Sequence, residues 1–297
     1  MSSSRVEPPS SQIAKRSSAG RKVVCGRLEL DFATDANGRT YLRRQFAEYP
    51  FHVCRLQFQD TALPSLATLY IQSSSGGVYE DDRLAVSISL NGEAQAHLTT
   101  QAATIVHGMP QGRAEQRVSI ECREASYVEY FPDPQVLFPH STFFSKLLVR
   151  VEEDATALVS DSFLQHDPGG KGGQFADYVS EIVLEKPEGR PLAIDRLHVS
   201  GSFLQQRIPG VTGGFAGQGT IVVVGRNESS DAIFEALRRV DLAYSEAVLG
   251  GTRLPNAAGI LIRLLAADGA ALRRAMHLVS SAIRAALTGH PAAERRK

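Results

Sequence analysis

Apolar and polar positions alternate with a period of two from about residue 22 to residue 225. Leu84, Val86, Ile88 and Leu90 alternate with Ala85, Ser87 and Ser89, and Val118, Ile120 and Cys122 alternate with Ser119, Glu121 and Arg123. Short alternating runs of this kind predict strands with one face buried. Three segments share one design: VSISLNGEAQAHLTTQ (86–101), VSIECREASYVEYFPD (118–133) and LLVRVEEDATALVSDS (147–162). Each is a strand, a polar turn (Asn91-Gly92-Glu93, Arg123-Glu124, Glu152-Glu153-Asp154), a small residue and a second strand, recurring at about 30-residue intervals. A regular period of that size predicts stacked β layers, each covering the apolar face of the last. A plain meander of hairpins would give the same spacing, and both readings make the region all-β.

The pattern changes near residue 225. TIVVV (220–224) reads as a buried strand, and Ile233, Leu237, Val240, Tyr244 and Val248 then mark one face of a helix. Ser229, Ser230 or Asp231 can cap that helix and Gly250 can end it. GILIRLL (259–265) reads as a strand, and a second helix from Asp268 carries Leu272, Met276, Val279, Ile283 and Leu287. The expected fold is therefore mostly β: a superhelical or stacked β-strand body with a small C-terminal strand-helix-strand-helix element. Residues 1–21 are expected to be a disordered tail and residues 22–290 one domain, with a β-rich body (22–225), an α/β element (226–290) and a frayed end (291–297). The glycine-rich PGVTGGFAGQG (209–219) is the sole candidate boundary, so body and C-terminal element are expected to share a core.

Charge narrows the partner classes. The chain has 297 residues, with 32 Lys plus Arg against 32 Asp plus Glu, so no global field attracts nucleic acid or an anionic membrane. No apolar run approaches the roughly 20 residues that span a bilayer. The serine-rich, basic N-terminus lacks the apolar region of a secretory signal. Cys25, Cys54 and Cys122 are widely spaced and odd in number, which argues against a disulfide framework and for a reducing cytoplasm.

Catalytic motifs are sparse. DPGGKGG (167–173) lacks the serine or threonine after Lys171 and the following helix of a phosphate-binding loop. No G-x-S-x-G nucleophile elbow occurs, and no histidine pair has the spacing of a helical zinc site. His107 and His166 are the histidines whose placement at strand ends leaves metal handling open. The acids are more suggestive. SSSGGVYEDDRL (73–84) places Glu80, Asp81 and Asp82 before a strand, and Asp161 and Asp195 also lie at strand ends. Hard carboxylate oxygens with neighbouring hydroxyls can hold divalent cations weakly enough to release them. Each acid could instead cap a turn or pair with an arginine such as Arg83 or Arg196.

HLTTQAAT (97–104) resembles the L-T-T-Q-A-A-T-K signature of the UreD (UreH) family of urease accessory proteins, and other elements follow in order. Gly76, Gly77, Asp82 and Leu84 match the family's G-G-x-x-x-G-D-x-L, and ASYVEYFPDPQVLF (125–138) is similar to its L-E-Y-L-P-x-P-x-I-x-F. LEKPEGRPLAIDRLHVSG (184–201) and TRLPNAAGILIRLLAADGAALRRA (252–275) resemble its later D/E-R-L and L-P-x-G-L-L-x-R-L-L-G elements. The resemblance covers about residues 22–290. It implies a non-enzymatic cytoplasmic scaffold that joins a UreF-type helical accessory protein and a UreG-type GTPase to apo-urease for nickel insertion, with no tightly bound cofactor. It also implies that transient Ni²⁺ moves through an internal path, onto which Asp82, Thr104, Asp161 and Asp195 map, with His107 a weaker candidate. By strand alternation Asp82 should point inward, leaving Glu80 and Asp81 as a solvated rim. The C-terminal helices and glycine-rich loops are the expected partner surface. Departures from the family pattern are Ile105 for lysine, His107 for tyrosine, Asp81 for glycine, Glu80 for a small residue and Gln174 for glutamate. A pure protein-interaction scaffold without nickel passage is the alternative, and a small hydrolase with a composite site is the third class.

Overall fold

A computed structural model describes residues 22–225, 230–242 and 246–293; the expected tail at 1–21 and positions 229, 244 and 294–297 fall outside them. The described strands in chain order are β1 (Cys25–Thr34), β2 (Thr40–Ala47), β3 (Phe51–Val53), β4 (Leu66–Ser73), β5 (Arg83–Leu90) and β6 (Gln95–Thr100). The short β7 (Thr104–Val106), β8 (Ala114–Cys122), β9 (Tyr127–Phe131), the short β10 (Gln135–Leu137), β11 (Thr142–Val151) and β12 (Thr156–Gln165) follow. The chain continues through β13 (Asp177–Glu185), β14 (Pro191–Val199), α1 (Gly201–Gln205) and β15 (Gly217–Gly225). It closes with α2 (Ser230–Arg238), β16 (Ala247–Arg253), β17 (Ile260–Ala266) and α3 (Gly269–Thr288).

The internal repeat becomes a solenoid. The first strand of each unit (β5, β8, β11) joins a seven-stranded sheet ordered β14-β13-β11-β8-β5-β1-β2. The second strand of each (β6, β9, β12) joins a ten-stranded sheet whose main path is β16-β17-β15-β12-β9-β6-β4-β3. Equivalent strands stack in parallel, with Val86, Val118 and Leu147 in register in one sheet and Ala96, Val128 and Ala157 in the other. The small residue after each turn, Ala94, Ser126 or Ala155, is buried where the chain tucks from one sheet to the next. Backbone bonds then run between layers, from Tyr127 N–H to Ala94 O and from Thr156 N–H to Ser126 O. A hairpin meander would have paired the two strands of each unit with one another, so the stacked alternative is the one realised.

Inward positions of both sheets, among them Leu30, Ile88, Ile120, Val149, Leu98, Val128 and Val159, make the main core. The outer face of the seven-stranded sheet is laced by cross-strand ion pairs instead. Arg150 bridges Glu121 (3.2 Å) and Glu185 (2.9 Å), and Glu181 bridges Lys146 and Arg196 (both 2.8 Å). The outer face of the ten-stranded sheet is covered by α3, through Leu272, Ala275, Met276, Val279 and Ile283 against Ile221, Ile262 and Leu264. A Cβ on Gly219 would stand 2.5 Å from Met276 Sδ, so the helix packs closely over this strand position and a side chain there would make Met276 shift. Asp268 caps α3 as expected, accepting the Ala271 N–H at 2.7 Å. None of the helices of the described residues is long and apolar enough to cross a membrane.

Two expectations differ. The helix read through to Gly250 ends at Arg238, and Val248 and Gly250 belong to β16, antiparallel to β17. Adjacent glycines oppose a helix, and an open strand edge on β17 supplies backbone partners for this segment instead. The C-terminal order is thus strand-helix-strand-strand-helix. The five-residue α1, capped by Ser200, was not anticipated.

Candidate functional site

The core is apolar along most of its length but polar along one layer. Gln116, Ser145 and Ser180 face inward as neighbours in register on β8, β11 and β13. Opposite them Asp161, Thr220 and Arg263 are neighbours in register on β12, β15 and β17. The two rows meet through Asp161, which accepts hydrogen bonds from Tyr178 Oη (2.9 Å), Ser145 Oγ (3.4 Å) and the Ser180 hydroxyl. Burial raises the Asp161 carboxyl above the usual range, against the lowering effect of these three donors. Tyr130, on β9 toward the N-terminal end of the stack, has its phenol pushed up by burial and by the Asp161 charge.

At that end the layer opens into a cavity of about 470 Å³, whose wall includes Asp82, Thr104, Gln116, Tyr130 and Gln135. Gln135 is 5% exposed, and its buried Oε1 has no hydrogen-bond partner within the described residues. Two wall residues thus lie near Asp161: Gln116, in register with the Ser145 that bonds it, and Tyr130, which feels its charge.

The expected residues do not converge, and of them Asp161 alone belongs to these two rows. Asp82 is 2% exposed and points inward, but its oxygens accept the N–H groups of Val24 (2.9 Å) and Tyr79 (3.0 Å), so it also fixes the turn into β5. Thr104 shares its cavity. Asp161 lies at the centre. Asp195, on β14, is in register with Ile182 of the next row and is ion-paired to Arg263. His107 stands at the cavity rim, stacked on Tyr79 at 4.2 Å, edge-on to Phe138 at 5.5 Å, with Nε2 3.1 Å from Gly76 O. Gly77 beside it has φ of 139°, and a Cβ there would strike Ile105 O at 2.6 Å. His166 also packs on Phe138, at 5.8 Å between ring centres. Among the described residues no three His, Cys, Asp or Glu side chains gather as a metal-binding group.

One acid behaves differently from expectation, and the glycine-rich loop agrees with the reading against a phosphate site. Glu80 is not a solvated rim residue: it is 6% exposed, and its Oε1 accepts the N–H groups of Gln111 (2.8 Å) and Gly112 (2.6 Å). The loop it holds lies 31 residues downstream, beyond the reach of local pattern reading. In DPGGKGG the N–H groups of Gly169, Lys171 and Gly173 all turn onto Asp167 (3.0, 2.8 and 2.8 Å), which holds its carboxyl below the usual range. Those donors are spent on an internal carboxylate, not offered to a phosphate.

A buried charge network beneath α3 escaped the sequence reading. Arg284, 3% exposed, pairs with Asp60 and lies 3.3 Å from Glu129 Oε1. Glu129 also holds His97 Nδ1 (2.6 Å) and accepts from Tyr127 Oη (2.7 Å). His97, Arg284 and their partners hold the Glu129 carboxyl below its usual range despite the opposing cost of burial. The available signal was Arg284 directly beside Ile283 on the apolar stripe of α3, where a cation needs a buried partner.

Residues 24–297 match the family model described as UreD urease accessory protein. Urease accessory protein UreD 1 of Pseudomonas syringae pv. tomato is 34% identical over 266 residues, 90% of this chain and 93% of the relative. Urease accessory protein UreD 3 of Bradyrhizobium sp. is 36% identical over 280 residues, 94% and 96% of the two chains. The archaeal Urease accessory protein UreD of Cenarchaeum symbiosum is 30% identical over 259 residues, 86% and 90%. With a solenoid β fold, a polar layer through its core and these relatives across nearly its whole length, the chain belongs to the UreD family of urease accessory proteins.

Proposed function

We propose that the protein is a non-enzymatic scaffold and nickel conduit. It joins a UreF-type helical accessory protein and a UreG-type GTPase to apo-urease in the cytoplasm, and Ni²⁺ passes along the polar layer between its sheets. The observation that carries the conduit is that layer itself, a row of carboxylate, hydroxyl and amide oxygens leading from a cavity to Asp161 through an otherwise apolar core. The ion is cargo. Oxygen donors hold Ni²⁺ weakly, and a site keeping several waters releases it again. Asp161 is the central relay residue, approached through the cavity that Asp82 and Thr104 line. His107 sits at the rim, where its ring can meet a hydrated cation.

The pure scaffold remains the second reading, favoured by Asp82 and Asp195 each being engaged by structural partners. Partner docking is expected on the C-terminal helices and the glycine-rich segment. Val211 (52% exposed) in that segment and Leu278 (41%) on α3 are large apolar side chains that a partner would cover, with Val248 (50%) on β16 and Phe203 (37%) on α1 in the same C-terminal part of the chain. The reading is tested by placing this chain in cells that lack their own UreD but keep UreF, UreG and urease. The expected outcome is co-purification of all three partners and restored urease activity. Restored activity without co-purification would overturn the scaffold role.

A further inference from the structure

The outer face of the ten-stranded sheet holds a second cavity, of about 440 Å³, beneath α3. Strand β9 separates it from the inner cavity: Glu129 and Phe131 face this one, Tyr130 faces the other, and Pro132 alone borders both. Its floor is apolar, built from Leu66, Phe131, Leu158 and Met276. Its buried acids Asp60 and Glu129 are already neutralised by Arg284, and the third acid, Asp133, has partners of its own.

The uncommitted charge is positive. Arg273 and Arg274 border the cavity from the first turns of α3, are exposed, and have no acidic partner among the described residues. Beside the floor, His97 is committed to Glu129 through its Nδ1 (2.6 Å), so the two arginines are the groups left to meet an anion. A concave apolar wall with a few convergent polar groups, at a volume in the range of about 300–1,000 Å³, is the usual form of a small-molecule site.

We infer that this cavity binds a small organic anion with an apolar body, its carboxylate meeting Arg273 and Arg274 and its tail lying on the Leu66–Phe131–Leu158–Met276 floor. The inference is independent of the nickel conduit, which lies on the opposite face of β9.

Octanoate is a suitable probe, measured by titration calorimetry on the full chain. The expected result is one saturable site, with octylammonium, which has a similar tail and the opposite charge, binding about tenfold more weakly or worse, a ratio equal to about 1.4 kcal/mol. Arg273→Glu combined with Arg274→Glu should weaken octanoate by a similar factor, and these exposed, unpaired positions leave the fold intact. Ser280→Phe, at a half-buried cavity position, keeps every charge and should abolish binding by filling the space. Equal affinity for octanoate and octylammonium, full octanoate affinity in either variant, or no binding to the unmodified chain would each overturn the inference.

Discussion

Asp81 shows how a single backbone angle carries information that side-chain pattern does not. Its φ is 66°, in the left-handed region that favours glycine, and glycine is what the family resemblance places there. Asp81→Gly is therefore expected to raise stability by about 0.5–1 kcal/mol, seen as a higher denaturant midpoint with an unchanged slope. Asp82 points inward and Asp81 outward as alternation predicts, but the cause is a turn and not a strand, since both precede β5 and Asp81 is left-handed. Alternation misplaced Glu80, whose role depends on a loop brought close only by the fold. Asp161 and Asp195, expected at strand ends, instead lie in the middle of β12 and β14, where the period of two turns them inward. Their different states, one among hydroxyl donors and one beside Arg263, depend on which strand of the facing sheet lies opposite.

At the scale of elements, α3 is held by two kinds of contact. Its apolar stripe was legible from spacing, together with its Asp268 cap. The ion pairs of Arg284 were not, since Asp60 lies 224 residues away. Removing one member of a buried pair leaves the other uncompensated, so Arg284→Met is expected to lower stability by about 3–5 kcal/mol, measured by chemical unfolding at neutral pH. The same network predicts a pH dependence. Glu129 is depressed in the folded state relative to an unfolded value of about 4.3, so its stabilisation is complete above that value. It is lost as pH falls through the lower folded value. Chemical unfolding across that acid range should therefore show a smaller loss in Glu129→Gln than in the unmodified protein. By contrast α2 was read too long, because the apolar spacing over 233–248 fits a helix while the pairing of β16 with β17 decides the outcome.

For the whole molecule, the repeat was the strongest signal in the sequence. Its units of strand, turn, small residue and strand fix both the stacking and the corner positions of Ala94, Ser126 and Ala155, whereas the choice between parallel stacking and hairpins needed long-range pairing to settle. The solenoid gives one uncovered charged face, one helix-covered face and a polar layer between them. Its exposed apolar side chains on the C-terminal half predict low solubility for the isolated chain. Co-expression with the UreF-type partner should raise the soluble yield; an unchanged yield would place the partner surface elsewhere. The central claim is passage of nickel through the polar layer, and the most direct measurement is the nickel content of urease matured at limiting nickel by an Asp82→Ala/Asp161→Ala variant that still co-purifies with its partners. The account predicts urease with markedly less nickel than the unmodified chain delivers. Urease filled to the same level by the variant would contradict it.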